Sequence, residues 1–231
     1  MPRVEVHASV TSTLDVAHAI APSVPAGTLV LADEQTAGRG THGRRWTSRA
    51  GDGVWLALID RPADVRALDV LSLRCGLYAA EALDDLAAAT IGVKWPNDLY
   101  VSGRKLAGVL IETRWRGASA EWVAIGFGLN VVTPPLQTAI GLAPGTTRLD
   151  ALGRLVPALR RAVGAPGHLT DDELARWRRR DVARGRTIAA PSAGTVAGVS
   201  RAGDLLVVGA SGAETRHRSG TLTFAEPLAC S

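Results

Sequence analysis

Apolar residues change their spacing several times along this chain, and each change predicts an element. Residues 12–21, STLDVAHAIA, have the spacing of a short helix opened by Ser12 or Thr13 as cap. TLVLA at 28–32 is a continuous apolar run and reads as a buried strand. GVWLALI at 53–59 reads the same way and is stopped by Asp60 and Pro62. Between these strands lies a loop rich in glycine and arginine, from about 36 to 53. Leu68, Leu71, Cys75, Tyr78, Ala82 and Leu86 recur at helical spacing and predict a long amphipathic helix over about 66–88. IGVKWP at 91–96 is a short strand ended by its proline. Residues 98–105 form a hairpin turning at Ser102-Gly103, with LAGVLIE at 106–112 as the returning strand. WVAIGFGLNVV at 122–132 is another buried strand, and 133–147, with three prolines, is a loop.

Leu149, Leu152, Leu155, Val156, Leu159 and Val163 make one more helix. Thr170 with Glu173 is a capping box for a last helix ending near Gly185. From about 186 the rhythm shortens into five strand-like pieces: RTIAA, GTVAGVS, DLLVV, ETRHR and GTLTF. Helices and strands mix without a regular βαβ beat, so an α/β (α+β) domain around a mixed sheet is expected over 1–185, with a small β-barrel over 186–231.

Composition narrows the class. The 231 residues are 46% apolar, enough for a sizeable core. No run of about 18 uncharged apolar residues occurs, and the N-terminus lacks an apolar signal core, so neither a membrane span nor a leader is predicted. Cys75 and Cys230 have no metal-ligand spacing and read as free thiols of a cytoplasmic protein. The net charge of +4 raises the question of nucleic acid. Much of it sits in RWRRRDVARGR at 176–186, which reads as a solvated helix face, and in GRGTHGRR at 38–45.

Lysine and arginine together number 26, yet only Lys94 and Lys105 are lysine, leaving 26 − 2 = 24 arginines. Both lysines fall within KWPNDLYVSGRK, residues 94–105. Arginine offers a flat fork, whereas lysine offers a compact charge suited to a phosphate. The plain alternative is a composition that left two lysines here by chance. GRGTHG at 38–43 formally matches GxGxxG, but a loop and then a strand follow where a dinucleotide fold needs a helix. Phosphate-loop, GxSxG, HExxH and paired CxxC motifs are absent. What the loop does offer is backbone free of Cβ atoms at Gly38, Gly40 and Gly43, and forks at Arg39, Arg44 and Arg45. Trp46 adds a plane for a purine. With Asn97 and Asp98 beside Lys94, the set suits activation of a carboxylate by ATP, a reaction that needs cations at the phosphate but no protein nucleophile.

GRGTHGRRW, KWPND separated by five residues from RKLAG, and GFGLN together closely resemble the biotin protein ligases, over nearly the whole chain. The resemblance implies a catalytic sheet like that of class II synthetases and lipoate ligases, with an SH3-like C-terminal module. It implies ATP-dependent formation of biotinyl-5'-AMP, with Mg2+ accompanying ATP. Biotin then passes to a lysine of a biotin carboxyl carrier protein, such as that of acetyl-CoA carboxylase. On this reading Ser12, Thr13 and Gln35 hold the ureido ring, with Gly38 and Gly108 lying close to biotin. Arg39 and Lys94 meet the carboxyl and phosphate and are the catalytic pair. Gly40, Thr41, His42, Gly43, Arg44, Trp46, Asn97, Lys105 and Asn130 line the ATP and adenylate side.

Two positions depart from the family pattern. Leu14 stands where Asn or Gln usually follows Ser-Thr, and Thr41 where the loop usually has a second Arg. The latter implies weaker retention of the adenylate. Some relatives carry an N-terminal helix-turn-helix, and only 11 residues precede Ser12, so no operator binding is expected. Some members pair edge to edge, so a homodimer is allowed for. The alternatives are a lipoate-protein ligase and, in a different class, a nucleic-acid-binding module using Arg176–Arg186.

Overall fold

Valine alternates with polar residues at the start of the chain, and these residues form an edge strand that the sequence reading passed over. In the computed structural model, which describes residues 3–226 and residue 228, β1 (Val4–Val10) pairs in parallel with β2 (Thr28–Gln35). Val4 and Val6 face outward on this edge, 53% and 74% exposed, so no burial pattern marks it. The expected strands then appear in order. They are β3 (Gly53–Asp60), β4 (Gly92–Lys94), β5 (Asp98–Val101), β6 (Arg104–Arg116) and β7 (Ser119–Asn130). β6 and β7 run longer than their apolar cores because a turn at Gly117, with φ +58°, joins them as a hairpin. The β5–β6 turn sits at Ser102-Gly103, both with positive φ.

These seven strands form one mixed sheet in the order β1-β2-β3-β7-β6-β5-β4. Four helices accompany it among the described residues. Helix α1 (Thr13–Ile20) starts at Ser12, whose hydroxyl accepts from the Leu14 amide. Helix α2 (Leu71–Leu83), flanked by 3-10 turns on both sides, fills most of the expected 66–88 segment. Helix α3 is Arg148–Gly164 and α4 is Asp171–Arg180. Capping boxes open α3 at Thr147 and Asp150 and α4 at Thr170 and Glu173.

Helix α4 ends five residues before the expected Gly185. Beyond Arg180 the chain turns extended, the Val182 amide donates to Val93 O, and Asp181 bridges to β4. Gly185, at φ +75°, turns the chain into the second sheet instead. The five C-terminal pieces are strands, as expected: β8 (Thr187–Ala190), β9 (Gly194–Val199), β10 (Leu205–Val208), β11 (Glu214–His217) and β12 (Thr223–Phe224). They form an antiparallel sheet ordered β11-β10-β9-β8-β12. Trp95 Nε1 donates to Gly203 O across the junction, and the apolar core runs on through Ile188, Val196, Leu205 and Val207.

The two faces of the large sheet are covered unequally. Helices α2 and α3 cover one face over Leu56, Leu58, Val109, Ile125 and Phe127. On the other, α1 covers only part, packing Leu14 and Ala17 on Val30, Ala57, Ile59 and Ala124. The uncovered remainder of that face is the floor of a cleft. Cys75 is a buried free thiol, pushed up to about 12 by burial, so it is unreactive. Cys230 lies outside the described residues. Among the described residues, no helix is long and apolar enough to cross a membrane.

Candidate functional site

Register sets the floor of the cleft. Trp55 on β3 stands opposite Gly128 on β7, Gly128 opposite Gly108 on β6, Gly108 opposite Asp98 on β5, and Asp98 opposite Lys94 on β4. Directly opposed residues share a face. The two glycines therefore leave a trough between Trp55 and Asp98. The Trp46 indole lies in it. A Cβ on Gly128 would come within 2.7 Å of that ring, and one on Gly108 within 3.3 Å. Trp46 also meets Trp55 edge to face, with ring centroids 6.4 Å apart. Its Nε1 is buried without a hydrogen-bond partner among the described residues, a donor left over in the cleft.

Lys105 reaches the same trough through a bulge. Tyr100 pairs with Lys105 but Leu99 with Ala107, so Leu106 is an extra residue on β6. Without it Lys105 and Gly108, three residues apart, would face opposite sides. With it, Lys105 Nζ stands 5.0 Å from the Trp46 ring centroid and 2.7 Å from Asp98 Oδ1. The latter contact is an ion pair rather than a well-directed hydrogen bond, because Oδ1 has no directed donor.

The cavity, about 370 Å3, runs from the N-terminus of α1 to the 132–139 segment. At the α1 end the Thr13 amide and hydroxyl both donate to Gln35 Oε1, at 2.9 and 3.2 Å, and Gln35 Nε2 donates to Ser48 at 2.8 Å. Ser12, Leu14 and Gly126 adjoin them, with Leu14 packed on Gly126. Over the mouth, the glycine loop is a small hairpin. The Gly40 amide donates to Arg44 O and the Trp46 amide to Gly38 O. The tip turns at His42 and Gly43, both with positive φ. Arg39, Gly40, Thr41 and Arg44 line the cavity, whereas His42 and Gly43 do not. Gly38 sits behind, where a Cβ would meet Trp46 O at 2.6 Å.

Asn97 and Asn130 line the cavity but spend their amides on the fold. Asn97 donates to Val109 O at 2.7 Å, and Asn130 to Ile140 O at 3.2 Å. Sequence reasoning missed the trough glycine Gly128, Asp98 as the partner of Lys105, and the 132–139 wall. That wall is fixed by backbone bonds between Lys105 and both Thr138 and Ile140, for which the sequence carries no signal.

Lys94, like Gly38, His42 and Gly43, is an expected site residue outside the cavity lining, although it shares the sheet face of Asp98. Strand β4 is the sheet edge, one strand beyond Asp98. Lys94 Nζ sits 5.6 Å from the ring centroids of both Tyr100 and Phe224, the latter on β12 of the small sheet. Burial lowers the Lys94 ammonium from its ordinary range. Asp98 partly offsets this, and Lys105 and Arg44 add to it. Among the described residues, no group of three or more metal-binding side chains comes together. The arginines of 176–186 are partly consumed within the fold, since Arg176 pairs with Glu81 and Asp172, and Arg180 with Asp84.

Residues 5–130 match the model of the biotin/lipoate A/B protein ligase family. The chain belongs to this family. It is 38% identical over 131 residues to the bifunctional ligase/repressor BirA of Bacillus subtilis, a match covering 56% of this chain and 40% of that protein. It is 35% identical over 157 residues to the biotin–[acetyl-CoA-carboxylase] ligase of Mycobacterium tuberculosis, covering 66% and 56%. The matches thus span about half the length of these relatives or less. Among solved structures, the biotin protein ligase R40G mutant of Aquifex aeolicus in complex with biotin superposes with a TM-score of 0.80 at 23% identity, over 97% of this chain and 98% of that one. The Leishmania major biotin protein ligase in complex with biotinyl-5-AMP superposes at 0.65 with 25% identity, over 94% and 98%. The mixed sheet and the small C-terminal sheet are therefore the family architecture.

Proposed function

We propose that the protein joins biotin to ATP as biotinyl-5'-AMP and passes the biotinyl group to a lysine of a biotin carboxyl carrier protein. The observation that carries this reading is the glycine trough, with Lys105 at one side and the unpaired Trp46 Nε1 within it. A compact bicyclic acid would seat in the cavity beside the Trp46 indole that the trough holds, with its polar ring toward Ser12, Thr13 and Gln35 and its carboxylate toward Lys105. That carboxylate attacks the α-phosphorus of ATP and pyrophosphate leaves. Lys105 and Arg44, with Arg39, face the charge that develops there. The carrier lysine then attacks the acyl carbon and AMP leaves, and Asp98 is the carboxylate nearest to take the amine proton. Mg2+ belongs to this reading as part of the Mg·ATP substrate, whose phosphate oxygens would hold it and whose charge it would offset.

Lys105, rather than Lys94, takes the role at the carboxyl–phosphate junction in this proposal. Lys94 instead links the active face to the module of 186–231 through Phe224. Thr41 leaves the hairpin tip one cation short, so adenylate escapes faster than it does from a Thr41→Arg variant. The relatives' names support the carrier of acetyl-CoA carboxylase as acceptor, and a reduced buried Cys75 supports a cytoplasmic location. The test is ATP–pyrophosphate exchange. Biotin should support exchange and lipoate should not. Lys105→Ala should abolish it and Lys94→Ala should reduce it at least tenfold less. Exchange with lipoate alone, or a Lys105→Ala enzyme near wild-type rate, overturns the assignment.

A further inference from the structure

The glycine hairpin closes on itself, and the side chain that ties it to the far wall of the cleft is Arg39. Its NH1 donates to Asp15 on α1, and its NH2 lies 3.2 and 3.3 Å from the two carboxylate oxygens of Glu112 on β6. The two carboxylates are themselves fixed by groups outside the hairpin. Thr11 Oγ1 donates to Asp15 Oδ2 at 2.8 Å. His18 Nε2 meets Glu112 Oε2 at 2.9 Å, and Trp122 Nε1 stands 3.0 Å from His18 Nδ1. An indole N–H can only donate, so Nδ1 is the acceptor and the proton of the neutral ring sits on Nε2, directed at Glu112. Each carboxylate of the clamp therefore has a partner besides Arg39.

We propose that Asp15 and Glu112, neither of which lines the cavity, are positioning residues that latch the glycine hairpin over the cleft through Arg39. The idea rests on the ligase reading for its consequence, retention of the adenylate, but not for the latch itself. A guanidinium gripped along one edge keeps its other N–H groups free, so Arg39 is held at the cavity wall with donors to spare. Hydrogen bonds from Arg39 and Thr11 outweigh the effect of partial burial and hold the Asp15 carboxyl below its usual range, while Asp15 and Glu112 raise the guanidinium. The pairs are half-exposed, so salt should loosen them.

The experiment is limited trypsin cleavage at Arg44 and Arg45 in the empty full-length protein. Asp15→Asn and Glu112→Gln should each raise the cleavage rate about threefold and together about tenfold, the range of one to two such pairs. In an Arg39→Ala background the same substitutions should add nothing, and raising salt to about 1 M should speed cleavage of the wild type alone. Loss of biotinyl-AMP from the loaded enzyme should follow the same pattern. A substitution that merely loosened the fold would act equally in the Arg39→Ala background, and that result overturns the latch, as does unchanged cleavage in the double variant. Cleavage needs no catalysis, so a wild type inactive in exchange would sink the ligase reading while the protease pattern still judges the latch.

Discussion

Replacing Asp181 with Asn should change how stability depends on pH, by an amount the structure fixes. Asp181 stands where α4 gives way to the connection into the second sheet, its Oδ1 accepting from the Ala183 amide at 2.9 Å. Its Oδ2 and Trp177 Nε1 are both buried without a directed partner. Burial pushes the carboxyl from the usual 3.8 up to about 6, although nearby amides and the indole pull the other way. About 6 minus 3.8 is about 2 units, and at 1.36 kcal/mol per unit the charged folded form carries a penalty of about 3 kcal/mol. The folded protein holds this proton more tightly than the unfolded chain. The group's contribution is therefore fully present below 3.8 and is lost as pH rises through about 6. Asn does not titrate, so stability of the variant minus that of the wild type should grow by about 3 kcal/mol across that window. A constant offset from the new amide leaves this growth unaffected. Urea unfolding at a series of pH values measures it. A difference that stays flat from about pH 4 to 8 refutes the reasoning.

Two further substitutions probe the core and the trough. Glu173→Ala strands Arg74, a fully buried guanidinium whose other partners are the carbonyls of Ala165, Gly167 and His168, and should cost about 3–5 kcal/mol, read as a fall in Cm at constant m. Burial opposes ionisation of Glu173, but Arg74 and Thr170 hold it at about 2, so its contribution is present above the usual 4.5 and fades as pH falls toward 2, a slope that Glu173→Gln should remove. Gly128→Ala puts a methyl within 2.7 Å of the Trp46 ring in the empty protein, so an overpacking penalty of about 1–3 kcal/mol should lower the thermal midpoint by about 2–4 °C per kcal/mol, and the displaced indole should raise the KM for biotin in the exchange assay.

The sequence made the seven buried or amphipathic elements plain because burial imposes a period. It did not reveal β1, whose Val4 and Val6 point to solvent on an edge, so burial selects no apolar period there. The hairpin at Ser102-Gly103 was legible from turn chemistry alone, and the five C-terminal strands from their glycine punctuation. The end of α4 was not, because the chain's departure at Asp181 depends on a bridge to Val93, far away in sequence. Within the site, the motif residues Arg39, Trp46 and Lys105 line one cavity, and Lys105 stands over the Trp46 ring. The priority given to Lys94 followed from its place in KWPND. Which of two lysines faces a cleft is decided by strand order and one bulge, and neither is written locally.

That bulge explains why stability and ligand contact draw on different parts of one sheet. The face under α2 and α3 is filled by large aliphatic side chains, and substitutions there lose contacts that nothing outside can replace. The opposite face stops being covered where α1 ends, and there glycine takes the paired positions Gly108 on β6 and Gly128 on β7. Glycine weakens a strand by roughly 0.5–1 kcal/mol each, so Gly108 and Gly128 are poor choices for folding alone. Trp46 fills the space they leave, but with its indole N–H unsatisfied, which makes it a poor permanent occupant. A ligand that supplies an acceptor for that N–H relieves this defect, and its anion shares Lys105 with Asp98. Part of the energy for binding is therefore held in the indole donor that the fold leaves unmet where Trp46 fills the trough.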